Sequence, residues 1–171
     1  MASLNNIEIL EVKSIEGYEA DLSELLINVV EEGASIGFLP SLGRSVADEY
    51  WAGILKSDDV ILFLARMDGK VVGSVQLHLC TKQNGSHRAE IAKLMIDASI
   101  RRKGLGRLLM QTTEEKAKRD GRTLLVLDTR EGDPSNDLYQ SLGFIKAGKI
   151  PGYAKSANGE LAATVLYYKN V

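Results

Sequence analysis

Residues 7 to 12 alternate apolar and polar positions and predict a short strand, after which Ile15, Leu22, Leu25, Leu26, Val29 and Val30 recur with helical spacing. A second helix is predicted from about Ser45 to Leu55. Residues 60–66 and 71–80 are rich in β-formers and are joined by Asp68-Gly69, a strong local hairpin signal. Asn84-Gly85 then turns the chain into a third strand over residues 89–96. A helix opening at Gly104 is expected to bury Leu105, Leu108, Leu109 and Thr112 on one face and to end at Gly121. A strand over residues 123–128, a helix over about 134–142 and a last hairpin turning near Asn158-Gly159 complete the order βααβββαβαββ. That interleaving argues for a mixed α/β sheet with a parallel portion around the Gly104 helix. Alternation along residues 89–96 places Glu90, Ala92, Leu94 and Ile96 on one face.

Within this pattern the run from Ser99 to Met110 stands out, because it joins a basic, glycine-interrupted turn directly to an amphipathic helix. Arg101, Arg102, Lys103 and Arg107 supply four cations within seven residues. The glycines let the backbone approach a ligand, and the free N–H groups and positive end of the helix favour a phosphate. G-x-x-x-x-G-K-[ST] is absent from the chain, and G-x-G-x-x-G fails because Leu109 holds the third glycine position. What is filled is [QR]-x-x-G-x-[GA], by Arg101, Gly104 and Gly106.

This loop resembles the acyl-CoA loop of the GNAT superfamily of N-acetyltransferases. The expected second motif, L-Y-x-x-x-G-F, stands in order at Leu138 to Phe144. Segments at Gly33 to Phe38, Asn84-Gly85, Arg88 to Glu90, Lys93 to Met95, Leu127 to Thr129 and Ile150 to Tyr153 are similar to those of the tabtoxin-resistance acetyltransferases within that superfamily. The resemblance implies a single domain over residues 1–171 with a mixed, mostly antiparallel sheet flanked by helices. It also implies a splayed parallel strand pair at an acetyl-CoA cleft. Backbone groups of Leu94, Met95 and Ile96 would pair with the pantetheine. The loop from Arg101 through Arg102, Lys103, Gly104, Leu105 and Gly106 to Arg107 would hold the pyrophosphate. Many superfamily members carry an asparagine seven residues before the tyrosine; here that position is Gly132, and Asn136 is the substitute candidate.

Acetyl transfer to an amine needs a neutral amine, a donor for the oxyanion and a proton for the departing thiolate. By resemblance Tyr139 is the acid. The base lies between Asp128, which ends its strand at the cleft, and Glu90, eleven residues before the turn; a water relay is the third option. Phe38 and Tyr153 stand in the segments expected to wall the acceptor pocket. The implied reaction is acetyl-CoA-dependent transfer to a small polar acceptor, amino-acid-like or β-lactam-like. A non-catalytic acyl-CoA-binding domain and an acetyltransferase for protein or peptide amines are the alternatives.

Composition narrows the partners. With 171 residues, 44% of them hydrophobic, the chain is sized for one core. A net charge of −2 gives no global attraction to nucleic acid or membrane, so the basic loop is local. No run approaches the ~20 apolar residues of a membrane span, and a cytoplasmic location is expected, with a homodimer allowed. The single cysteine, Cys80, excludes an internal disulfide and reads as a structural thiol. His78 and His87 read as a strand side chain and a turn residue, so no metal site is expected. Trp51 reads as core or pocket wall.

Overall fold

The computed structural model describes residues 4–171. One seven-stranded sheet is formed by β1 (Ile7–Val12), β2 (Val60–Met67), β3 (Lys70–Leu79), β4 (Arg88–Ile96), β5 (Leu124–Arg130), β6 (Ile145–Lys155) and β7 (Leu161–Asn170). Its order is β1-β2-β3-β4-β5-β7-β6. The helices are α1 (Glu19–Glu31), α2 (Arg44–Gly53), α3 (Leu105–Arg119) and α4 (Ser135–Ser141). The element order is the one the hydrophobic pattern predicts, and β4 with β5 is the parallel pair of an otherwise antiparallel sheet. At the first hairpin Asp68 and Gly69 both take positive φ (51° and 82°), as a two-residue turn matching the strand twist requires.

Two apolar clusters lie on opposite faces of the sheet. On one, Phe63, Val75, Leu77, Leu125 and Leu127 pack with Leu105 and Leu109 of α3 and Tyr139 of α4. On the other, Leu62, Leu64 and Met95 pack with Leu22, Leu26 and Trp51 of α1 and α2. The buried stripe of α3 is Leu105, Leu109, Met110, Thr113 and Ala117, turned from the expected one. Leu108 is exposed and Thr112 half-buried instead, the Thr112 hydroxyl donating to the Leu108 carbonyl. Met110 and Ala117 pack in their place into the cluster on the sheet.

The parallel pair is closed at one end and open at the other. β4 and β5 are in register only from Arg88 opposite Leu124 to Glu90 opposite Val126. Arg122 staples the closed end, its guanidinium donating to the carbonyls of Cys80 (2.9 Å), Ser86 (2.5 Å) and Arg88 (3.3 Å). Past Glu90 the strands separate, because β5 follows β7 while a bulge bends β4.

That bulge also corrects the expected strand alternation. Lys93 adopts φ 58°, and the register against β3 shifts between Gln76, opposite Ala92, and Ser74, opposite Met95. One extra residue reverses the phase of the strand. Ala89 and Ile91 therefore face α3 before the bulge, and Leu94 and Ile96 face it afterwards. Glu90 and Ala92 do not share a face with Leu94 and Ile96; alternation puts them on the face that carries Met95 after the bulge.

Candidate active site

The opening between β4 and β5 leads into a cleft of about 1080 Å³. Its floor on the α3 side is the basic loop. Asp97 accepts from the Ser99 amide (2.9 Å) and hydroxyl (2.6 Å), which fixes the turn out of β4 and holds its carboxyl below the ordinary range. Arg102 and Gly104 then take positive φ, 60° and 90°. Gly104 caps α3 in this left-handed conformation, which costs a glycine little. The amides of residues 102–107 donate to no group of the chain among the described residues. Six free N–H groups at a helix start, with Arg102 and Arg107 lining the same wall, fit a pyrophosphate. Two of the basic side chains are already engaged. Arg101 donates Nε to the Ile96 carbonyl (3.0 Å) and pairs with Glu32 (2.7 Å), tying β4 to the end of α1. Arg107 reaches the Ser141 hydroxyl on α4 (2.7 Å). Lys103 is exposed and lies outside the cleft wall.

Leu94, Met95 and Ile96 line the cleft where the β5-facing edge of β4 has no strand partner. This exposed edge is suited to an added extended chain. Tyr139 sits on the α3 and α4 side with a 7% exposed ring, edge-on to Phe144 and Tyr167 at 6.1 Å each. Its hydroxyl bonds no protein group among the described residues. Burial, then the charges of Asp128 and Asp133, push its pKa up to about 12, so the phenol stays protonated.

The two carboxylates lie on the opposite face. Glu90 and Asp128 both line the cleft and are exposed. Asp128 accepts from the Thr164 hydroxyl (2.7 Å), which orients one carboxylate oxygen and leaves the other free. Lys93, which motif reasoning passed over, stands with them. Its ammonium donates to the Ile36 carbonyl (2.6 Å), and burial lowers its pKa against the opposing pull of Asp128 and Glu90. A lysine in the middle of the apolar segment Ile91 to Ile96 was the available signal. Gly37 is shaped by this contact, since a Cβ there would lie 3.1 Å from the Lys93 nitrogen.

Other expected residues fall differently. Asn136 does not line the cleft; its amide donates to the Arg130 and Asp133 carbonyls (2.9 Å each) and accepts from the Tyr167 hydroxyl (2.8 Å). Its short side chain is consumed in fixing the turn between β5 and α4. Tyr153 lines the cleft with 57% exposure. Phe38 instead packs edge-on against Tyr50 (5.2 Å) and lines a smaller adjoining hollow of about 230 Å³. Trp51 is core, 1% exposed. Cys80 is partly exposed and outside the cleft wall. His78 bonds Gln76 (2.9 Å), and burial lowers its pKa against the raising influence of Glu90 and Asp59.

Residues 23–144 match the Acetyltransferase (GNAT) family model. An uncharacterised N-acetyltransferase of Azospirillum brasilense is 33% identical over 65% of this chain and 67% of its own length. Another from Methanocaldococcus jannaschii is 28% identical over 62% of this chain, a match spanning 48% of that relative. Among solved structures, a GNAT-family acetyltransferase of Streptococcus pneumoniae superposes with TM-score 0.80 at 23% identity, covering 96% of this chain and 99% of that one. A Salmonella typhimurium structure with its cofactor acetyl-CoA has TM-score 0.75 at 19% identity, covering 97% and 94%.

Proposed function

The chain belongs to the acetyltransferase (GNAT) family, whose members use acetyl-CoA, and on that premise we propose that it moves the acetyl group directly to the amine of a small polar acceptor. The observation that carries this reading is the placement of Tyr139 and of Glu90 with Asp128 on opposite faces of the sheet, with the split between β4 and β5 joining them. Bound acetyl-CoA supplies the acetyl group as an activated thioester. The free amides of residues 102–107, with Arg102 and Arg107, hold the diphosphate, and the unpaired edge at Leu94 to Ile96 receives the pantetheine arm.

Asp128 takes the proton of the attacking amine on the oxygen that Thr164 leaves free. Glu90 is the second candidate for that task. A backbone N–H of the Leu94 to Ile96 segment stabilises the developing oxyanion. Tyr139 donates a hydrogen bond from its hydroxyl to the sulfur, which departs as a thiolate, from the other face, and the proton taken up by the base balances that charge. Cys80 lies outside the cleft wall, which supports direct attack over a thioester on the enzyme. No helix among the described residues is long and apolar enough to cross a membrane.

The relatives above are named only as acetyltransferases, so the acceptor rests on the pocket. Segments at Gly33 to Phe38 and Ile150 to Tyr153, similar to those of the tabtoxin-resistance acetyltransferases, border the acceptor end and support an amino-acid-like or β-lactam-like amine. The test is CoA release across a panel of amino acids, dipeptides, β-lactams and peptide N-termini, with initial rates at varied concentrations of both substrates. Intersecting double-reciprocal lines are expected. Parallel lines would indicate an acyl-enzyme, and cofactor binding without transfer to any amine would leave a binding domain.

A further inference from the structure

The acceptor end of the cleft and the smaller hollow beside it differ in their carboxylates. Glu90, Asp128 and Asp133 line the cleft, together with Lys93. The hollow lies between the loop of residues 33–40 and the β6–β7 hairpin, and no carboxylate lines it. Its charged groups are Arg130 and Lys155, and Arg130 is shared with the cleft, so the two spaces meet at that guanidinium. Arg130 is fixed by Asp133 on Nε (3.0 Å), by the Gly33 carbonyl on one terminal nitrogen (2.9 Å) and only loosely by Ser156 on the other (3.4 Å). A guanidinium has five N–H donors, so some of its donors remain free. Lys155 is exposed and has no ion-pair partner among the described residues.

The loop wall adds donors of its own. The amides of Ser35, Gly37 and Phe38, which line the hollow, donate to no group among the described residues, although the amides of Gly33 and Ala34 close the end of α1. Unpaired N–H groups beside two cations form an anion-binding concavity. Asp128 and Arg130 are two residues apart on one face of β5, a spacing of roughly 7 Å along a strand.

We infer that this hollow is a subsite for the acceptor's carboxylate, so that the acceptor is a dipeptide-sized amine whose anionic group lies roughly 7 Å from the nitrogen. The amine then sits against Asp128 and the carboxylate against Arg130, Lys155 and the loop amides. This rests on the proposed transfer to a small amine and narrows its substrate class.

Initial rates of CoA release are compared for glycylglycine and glycylglycinamide with wild type, Lys155→Gln and Lys155→Glu. Wild type should prefer the free acid by about 10-fold or more in kcat/KM, chiefly through KM, equivalent to roughly 1.4 kcal/mol. Lys155→Gln should narrow that ratio and Lys155→Glu abolish or invert it. Turnover of both dipeptides with no preference for the acid, or a preference unmoved in both variants, overturns the subsite while leaving the transferase reading intact. If no amine is turned over, the transferase reading fails and binding decides the subsite. N-acetylglycylglycine and its amide are titrated into the CoA-saturated protein and followed by backbone amide NMR. Shifts at residues 35–38 and 155–157 with the acid alone support it. No shifts there, or equal shifts from the two, overturn it.

Discussion

Replacing Tyr139 by phenylalanine removes one hydroxyl from a ring that stays fixed by Phe144 and Tyr167, so the change tests chemistry rather than packing. The hydroxyl bonds no protein group among the described residues, and thermal stability at neutral pH should hold. The size of the kinetic effect follows from the phenol's pKa of about 12. A thiol titrates near ~8.5, so full proton transfer from this phenol to a free thiolate runs uphill by about 5 kcal/mol. Tyr139 is therefore better suited to donate a hydrogen bond to the charge growing on sulfur than to give its proton away early. A hydrogen bond to a charged partner contributes about 1.5–3 kcal/mol, which corresponds to a fall in kcat of about 10- to 200-fold. The assay is CoA release at saturating substrates, with single-turnover rates to establish that chemistry limits. Affinity for acetyl-CoA should change less than about 3-fold, since the ring remains. Wild-type kcat under chemistry-limited conditions would refute the role, and a loss beyond about 10⁴-fold would refute the hydrogen-bond account in favour of an acid that transfers its proton fully. The raised pKa carries a sign as well. The fold holds this proton more tightly than the unfolded chain, so the stability Tyr139 contributes is fully present below about pH 10 and is lost as pH rises toward 12, by up to about 3 kcal/mol. The phenylalanine variant should lose less over that interval in alkaline unfolding curves.

Comparing Asp128→Asn with Glu90→Gln should assign the base: the true base loses the acid-side limb of kcat/KM and recovers partly at high pH, and this is expected of Asp128. The reverse pattern moves the role to Glu90, and two mild effects favour a water relay. Gly104→Val should weaken acetyl-CoA binding about 10-fold or more by calorimetry. Among the described residues a Cβ there would meet only the Leu4 side chain, at 3.6 Å, so the penalty comes from forcing a β-branched residue to φ 90° and from displacing the loop amides. Asn136→Ala removes three internal hydrogen bonds and should lower unfolding free energy by about 1–3 kcal/mol while leaving the acetyl-CoA dissociation constant within about 3-fold. A selective loss of cofactor affinity would return Asn136 to the binding site.

The order of elements was legible because each carries a local signature: alternation in β1, Asp68-Gly69 at the hairpin, glycines bracketing α3. The loop was legible for the same reason, since a glycine cap and clustered cations are adjacent in sequence. The remaining features depend on contacts distant in sequence. The bulge at Lys93 has no turn residue to announce it, and it reversed the expected face of half of β4. The rotation of α3 was set by the sheet beneath it, not by its own periodicity. Asn136 had the right chemistry for a ligand, but Tyr167, Arg130 and Asp133 claim its whole amide. Arg130 and Thr164 joined the site only because β5 pairs with β7 and the loop after α1 folds over both.

Lys93 has a chemical consequence that its position in the bulge makes testable. An acceptor amine enters mostly as an ammonium, with an ordinary pKa near ~10, and must lose a proton before it attacks. Three influences act on that proton within the cleft. Burial and the Lys93 cation disfavour a second positive charge, whereas Glu90 and Asp128 favour it. With the ammonium of Lys93 present, part of the carboxylate charge is already neutralised, so the bound acceptor loses its proton more readily. Lys93→Met keeps the bulk and removes the charge. The acid-side limb of kcat, which reports the substrate complex, should then move up by about 1 pH unit, the scale of a like charge some 8 Å away at intermediate dielectric. The variant also loses the bond to the Ile36 carbonyl, so the loop over the acceptor loosens and KM rises. These two effects separate: KM reports the brace, and the kcat limb reports the charge. A raised KM with an unmoved limb would reduce Lys93 to a strut between β4 and the acceptor loop.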